Sequence, residues 1–158
     1  MILAIDPSIN NVGLALIDGR GELIEAACLK SKGDNSPEKT RSLCEQLRGF
    51  LEKIEELELI LIEHTRYFAR SKNQSHASAQ KLNLAKGAIY ATCLILEGVE
   101  VKMIWIPGFD KTQASLLARS LGISKKLNQH ELDAFWLAHT WSKSPEALRA
   151  HWLESSQF

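Results

Sequence analysis

Apolar positions open the chain in two short runs, residues 1–7 and 12–17, separated by the Pro/Asn-rich stretch PSINN. Runs of that length bounded by turn residues predict strands. Asp18-Gly19-Arg20-Gly21 is a second turn, and residues 22–29 (ELIEAACL) predict a third strand, so this opening region reads as a three-stranded antiparallel meander. KSKGDNSP predicts a loop. Ser36 is the expected N-cap of a first helix, with Pro37 at its first helical position, and Leu43, Leu47, Phe50, Leu51 and Ile54 follow at helical spacing. LILIE (59–63) is short and apolar almost throughout, the pattern of a central strand buried on both faces. HTRYFARSKNQSH predicts a long polar, basic loop carrying two aromatics. Residues 75–97 predict a second helix with Gly87 inside it, and residues 99–106 (VEVKMIWI) a fifth strand that Pro107-Gly108 stops. Helices are expected over 110–121 and 129–142, and Pro145 starts a short C-terminal helix with Leu148 and Trp152.

The order β-β-β-α-β-α-β-α-α is that of a mixed α/β fold, a five-stranded sheet with helices on both faces. The 158 residues suit one domain with one sizeable core, and there is no repeat, low-complexity tract or linker. No apolar run approaches the roughly 18 residues of a membrane span. The N-terminal run has no basic flank and reads as a strand rather than a signal peptide. Cys28, Cys44 and Cys93 are widely spaced and odd in number, so neither a disulfide framework nor a cysteine metal site is expected, and a cytoplasmic protein is.

Net charge is zero, but it is unevenly spread. Asp34 to Glu63 holds eight acidic residues against four basic; His64 to Lys126 holds ten basic against three acidic. The second segment reads either as ordinary solvated surface or as a face that meets a polyanion.

Three elements present a carboxylate. Asp6 ends the first strand, Glu63 ends the fourth, and Asp133 lies on the fourth helix with His130 three residues before it. In mixed sheets of this order the first and fourth strands are parallel neighbours, which puts Asp6 and Glu63 side by side. Two such carboxylates repel unless a cation joins them. Oxygen donors suit Mg²⁺ or Mn²⁺, and two ions about 4 Å apart can clamp both oxygens of a phosphodiester displacement. Imidazole is tolerated by Mn²⁺, and residues three apart share a helix face. Each residue also has a plainer explanation: Asp6 as a turn former before Pro7, Glu63 as a surface residue, His130 and Asp133 as residues of a helix start.

These residues resemble a family. ILAIDPSINNVGLALID is similar to the opening strand–turn–strand of the RuvC-type Holliday junction resolvases, within the RNase H-like superfamily. LILIEHTRYFARSKNQ resembles that family's second acidic strand and its aromatic, basic loop. KLNLAKGAIYA resembles the helix that follows, GFDKTQ the loop with a lysine, and HELDAFWLAHTW the helix with the last metal ligands. The likeness spans about residues 1–141 in the family's order. It implies an RNase H-like sheet and a metal-dependent endonuclease that resolves four-way junctions in DNA recombination and repair, leaving a 5′-phosphate and a 3′-hydroxyl. Asp6, Glu63 and Asp133 would hold two Mg²⁺ or Mn²⁺ ions, with His130 as a further ligand or an acid/base group where many members have aspartate. Lys111 would approach the scissile phosphate. Tyr67 or Phe68 would stack on unpaired bases, and Arg66, Arg70, Lys72 and Lys81 would contact phosphates. The family often has glycine where Ser8 stands. A second basic position near the fifth strand falls about at Glu100, with Lys102 close by as the DNA-contacting candidate. The resemblance also implies a homodimer through helix 75–97, where Ala77, Leu84, Ala85, Ala88 and Ile89 serve either the interface or the core. The source is expected to be a bacterium or a virus of one.

Three other readings stay open: a nuclease of this fold acting on other branched DNA or on RNA, a non-catalytic junction-binding module, and, least, an actin-like ATPase, which needs two such domains.

Overall fold

The computed structural model describes residues 1–64, 76–106, 111–123 and 127–156, without the side chains of His76, Lys111, Gln113 and residues 154–156. Strands β1 (Ile2–Asp6), β2 (Asn11–Ile17), β3 (Leu23–Lys30), β4 (Leu59–Glu63) and β5 (Glu100–Ile104) form one mixed sheet in the order β3-β2-β1-β4-β5. The meander β1–β2–β3 is antiparallel, and β1–β4 and β4–β5 are parallel. The expected strands and their pairing are present, with β5 shorter than 99–106. Helices α1 (Ser36–Leu51), α2 (His76–Leu94), α3 (Lys111–Ser120), α4 (Gln129–Lys143) and α5 (Glu146–Ser156) complete the chain.

Strand alternation divides the sheet's side chains between two cores. Leu3, Ile5, Leu14, Ile60 and Ile62 point to one face and pack with Leu43 and Leu47 of α1 and Ile89 and Cys93 of α2. Ala4, Ala15, Ala26 and Leu61 point to the other, beneath Ala134, Phe135, Ala138 and Trp141 of α4. Trp152 of α5 packs on Trp141, ring centroids 6.3 Å apart.

The start of α1 corrects one expectation. Its N-cap is Asn35, not Ser36: the Asn35 side chain accepts from the Glu38 backbone N–H at 3.0 Å, and its amide donates to Glu38 Oε1 at 2.9 Å. Asn-Ser-Pro offers two capping side chains, and the one that meets the third helical residue, Glu38, wins. Helix α2 ends before residue 97, where the chain reverses into β5 through Gly98 at φ 77°.

Candidate functional site

Asp6 and Glu63 come together for a reason of register. In β1 the even positions face α4, so the residue after Ile5 does too; in β4 the odd positions face α4, so Glu63 follows Leu61 onto that face. Ile5 pairs with Ile62 across the parallel ladder, and the two carboxylates therefore stand at adjacent strand ends. Glu63 shares a hydrogen bond with Asp6.

Helix α4 brings the other two candidates over the same rim. Its start is fastened by a capping box: Asn128 Oδ1 accepts from the Glu131 N–H at 3.0 Å, and Glu131 Oε2 accepts from the Asn128 N–H at 2.9 Å. Capping is thus done by Asn128 and Glu131, which leaves His130 and Asp133 for other work. His130 Nδ1 lies 2.6 Å from Asp6 Oδ2. Asp133 accepts a hydrogen bond from Gln129 and lines a small crevice with Glu63, Ile106, Trp136 and Leu137. Asp6 is mostly buried, and its partner is a side chain on α4 rather than the turn after it.

The electrostatics are those of crowded negative charge. Burial, the hydrogen bond to Asp6, and the charges of Asp6 and Asp133 push the Glu63 carboxyl up to about 8, against the pull of Lys86. A carboxyl held protonated so far above its ordinary range marks a place where a cation is wanted. The donor set, three carboxylates and one imidazole, fits Mg²⁺ or Mn²⁺. As placed, however, no three His, Cys, Asp or Glu side chains among the described residues stand in position to share one ion. Asp6 is engaged by His130 and Asp133 by Gln129.

Of the DNA-contacting candidates, Arg66, Tyr67, Phe68, Arg70 and Lys72 lie outside the described residues, and Lys111 is placed by its backbone alone, as the first residue of α3. Lys81 is exposed on α2, in a cleft beside the β1–β2 turn that Asn10, Ser36, Lys39 and Ser78 also line. Lys39 is a cation the motif reading missed; its Nζ donates to Asn10 Oδ1 at 3.1 Å. Lys102 is seated elsewhere, opposite Leu61 in the ladder. Its ammonium is 2.8 Å from Glu100 and 5.6 Å from the Trp141 ring centre, so it holds β5 to α4. A larger cleft lies at the opposite end of the sheet, against the β2–β3 turn, and contains none of the candidates.

Two residues at the rim were not singled out from the sequence. Gly13 pairs with Asp6 in the β1–β2 ladder, and a Cβ there would sit 2.0 Å from the His130 carbonyl oxygen. Only glycine lets the first turn of α4 come down onto β2. Lys86 is a buried cation whose charge acts on Glu63 and Asp6. Its signal was present: Lys86, Ile89 and Cys93 fall at i, i+3 and i+7, so a lysine stands on the apolar stripe of α2.

No family model matches the sequence, and no curated protein is similar to it by sequence. Solved structures do share its fold. Thermus thermophilus RuvC in complex with a Holliday junction substrate aligns with a TM-score of 0.71 at 20% identity, over 95% of this chain and 94% of that one. A second Thermus thermophilus RuvC structure gives 0.68 at 21% identity, over 98% and 96%. The yeast mitochondrial Holliday junction resolvase gives 0.55 at 15% identity, over 89% and 78%. The chain has the RNase H-like α/β fold of these proteins, as the motifs led one to expect.

Proposed function

We propose that this protein is a metal-dependent endonuclease that resolves four-way DNA junctions. The observation that carries the reading is the convergence of Asp6, Glu63, His130 and Asp133 on one rim of the sheet. A surface that merely bound DNA would have no reason to line the phosphate site with carboxylates. That the chain has the fold of RuvC, a protein solved with a Holliday junction substrate, supports a four-way junction as the substrate class.

In this reading Asp6, Glu63 and Asp133 hold two Mg²⁺ or Mn²⁺ ions, with His130 as a further ligand or acid/base group. Such ions, when bound, activate a water for in-line attack and offset the charge developing on the phosphodiester. The chain's own residues do the positioning. β1 and β4 set the spacing of Asp6 and Glu63, and the capping box of α4 sets His130 and Asp133 above them. Lys111 approaches the scissile phosphate, where a fixed cation stabilises developing charge. Lys81 contacts the backbone beside the β1–β2 turn, and Arg66, Tyr67, Phe68, Arg70 and Lys72 engage the branch point. Lys102, held against Trp141, is the further DNA-contacting candidate near the fifth strand. Two symmetric cuts call for two sites, hence a homodimer. Helix α2 turns Ala85 and Ile89 into the core, while Leu84, Ala88 and Ala91 form an outer stripe that Ile95 continues, a face suited to that pairing.

A second reading, a junction-binding module without catalysis, is favoured by one observation: among the described residues no three donors are gathered for one ion. The test is incubation of the protein with a labelled four-way junction and its matching linear duplex, with and without Mg²⁺ or Mn²⁺. Paired, metal-dependent nicks in the junction, lost in Asp6→Asn, are expected. Cutting of flaps or RNA in preference would move the substrate class, and a band shift with no cutting in any cation would leave only the binding module.

A further inference from the structure

Among the described residues, Lys86 is a cation whose burial packing alone does not account for. It is 4% exposed, between the core residues Ala85 and Ile89 on α2. Its ammonium has no hydrogen-bond partner among the described residues. Burying an unpaired ammonium is costly unless an opposite charge compensates. The charges that act on Lys86 are those of Glu63 and Asp6, and the same pair is the crowded end of the acidic rim. Lys86 belongs to α2, which packs on the sheet face opposite α4, and its charge and those of Asp6 and Glu63 act on one another at this rim.

We infer that Lys86 is a resident cation of the acidic site, a positioning residue whose fixed charge keeps the Asp6–Glu63 pair together and competes with divalent ions for it. The inference rests on the metal-site reading above. Its consequence has a definite sign. Replacing Lys86 by a neutral side chain removes repulsion toward an incoming ion. The incoming ion carries two charges, so the repulsion removed is that toward a doubly charged ion. The free protein therefore holds metal more weakly than its carboxylates alone would.

The experiment is a Mn²⁺ titration of the full chain at fixed pH, read by the electron paramagnetic resonance signal of free Mn²⁺, for the wild type, Lys86→Met, Lys86→Arg and Asp6→Asn. Wild type is expected to bind, Asp6→Asn to lose binding, Lys86→Met to bind roughly tenfold more tightly, and Lys86→Arg to stay near wild type. Lys86→Met binding at wild-type strength or weaker, with Asp6→Asn still defective, overturns the inference and leaves the metal site standing. No binding by wild type, or equal binding by Asp6→Asn, overturns the metal site itself and this inference with it. Should Lys86→Met fail to fold, the wild type answers alone. With lysine labelled at Cε, the resonance missing from Lys86→Arg identifies Lys86. Sub-stoichiometric Mn²⁺ should broaden that resonance before those of the exposed lysines, and an unbroadened Lys86 signal overturns the inference.

Discussion

The two faces of the sheet use the same backbone and differ in side-chain size. Against α1 and α2 the strands present Leu3, Ile5, Leu14, Ile60 and Ile62, large residues that hold the helices off and fill the layer. Against α4 they present Ala4, Ala15 and Ala26 beside the larger Ile17 and Leu61, and α4 answers with Ala134 and Ala138 between Phe135 and Trp141. Small residues let layers approach, and the approach is closest at Gly13, where the backbone of His130 occupies the space of a missing Cβ. The first face is filled by large aliphatic side chains from the strands. On the second, small strand residues let a helix start come down onto two strand-end carboxylates, while Ile17, Leu61, Ile104, Phe135 and Trp141 fill the rest of the layer. Both faces carry an apolar core, and the candidate site lies at the rim of the second alone.

Ile62 and Glu63 test this most sharply, being chain neighbours that point to opposite faces. If the proposed site is right, Glu63→Gln should lower junction cleavage on the order of a thousandfold, since it removes a proposed ligand of an ion that would supply several kcal/mol of transition-state stabilisation, while thermal stability at neutral pH is retained. Ile62→Ala should cost about 2–5 kcal/mol of stability, as a fully buried side chain is replaced by a cavity, and the folded fraction should still cut. Cleavage assays beside urea denaturation of both variants check the pair. Equal losses of activity per folded molecule would mean the faces are not divided in this way.

Two glycines give the next contrast. Gly13→Ala forces a Cβ into the His130 backbone and should cost about 1–3 kcal/mol, with loss of cleavage as α4 is pushed away. Gly49→Ala, on α1 with nothing within 4 Å of the added Cβ, should stabilise by up to about 1 kcal/mol and leave cleavage alone. Chemical denaturation of the two proteins measures both signs.

The strands and their order were legible because short apolar runs between turn residues leave few alternatives, and the placement of Asp6 beside Glu63 followed from strand order alone. What was not legible is contact between distant elements. Gly13 is an unremarked strand glycine until α4 is laid over it. Lys86 stands on an apolar stripe, but nothing local says which carboxylates it meets. The cap of α1 was misplaced by one residue because Asn35 and Ser36 are both good caps, and only the reach to Glu38 separates them. The Asp6–His130 pair spans 124 positions of chain and is a product of packing.

The rim should also leave a mark on pH dependence. In the metal-free protein the Glu63 carboxyl is raised from 4.5 to about 8, so between those values the folded state binds more protons than the unfolded. Stability then falls as pH rises through that window. In EDTA the wild type should melt lower at pH 8.5 than at pH 5.5, and Glu63→Gln should flatten that difference. A wild type that melts higher at pH 8.5 would contradict the raised carboxyl. Ile62→Ala, on the other face, should shift the whole curve down and keep its slope.

The smallest effect is the most discriminating, because two caps of nearly equal worth serve opposite faces. Asn35 caps α1 and Asn128 caps α4, each through its side-chain oxygen at 3.0 Å from the N–H of the third helical residue. Replacing either by Ala should cost about 1 kcal/mol. The consequences for cleavage should differ. Asn35→Ala loosens a helix start about which the candidate ligands are indifferent, so the rate should stay within about twofold. Asn128→Ala loosens the turn that carries His130 and, one turn on, Asp133. Loss of such supporting contacts at metal sites typically costs about 10–100-fold, a drop much larger than the stability change alone would produce in a protein that remains folded. Equal melting shifts with unequal cleavage would show that the order of α4's first turn, rather than stability in general, limits the site. Equal cleavage would mean that the packing of Gly13 against His130 already holds that turn without its cap.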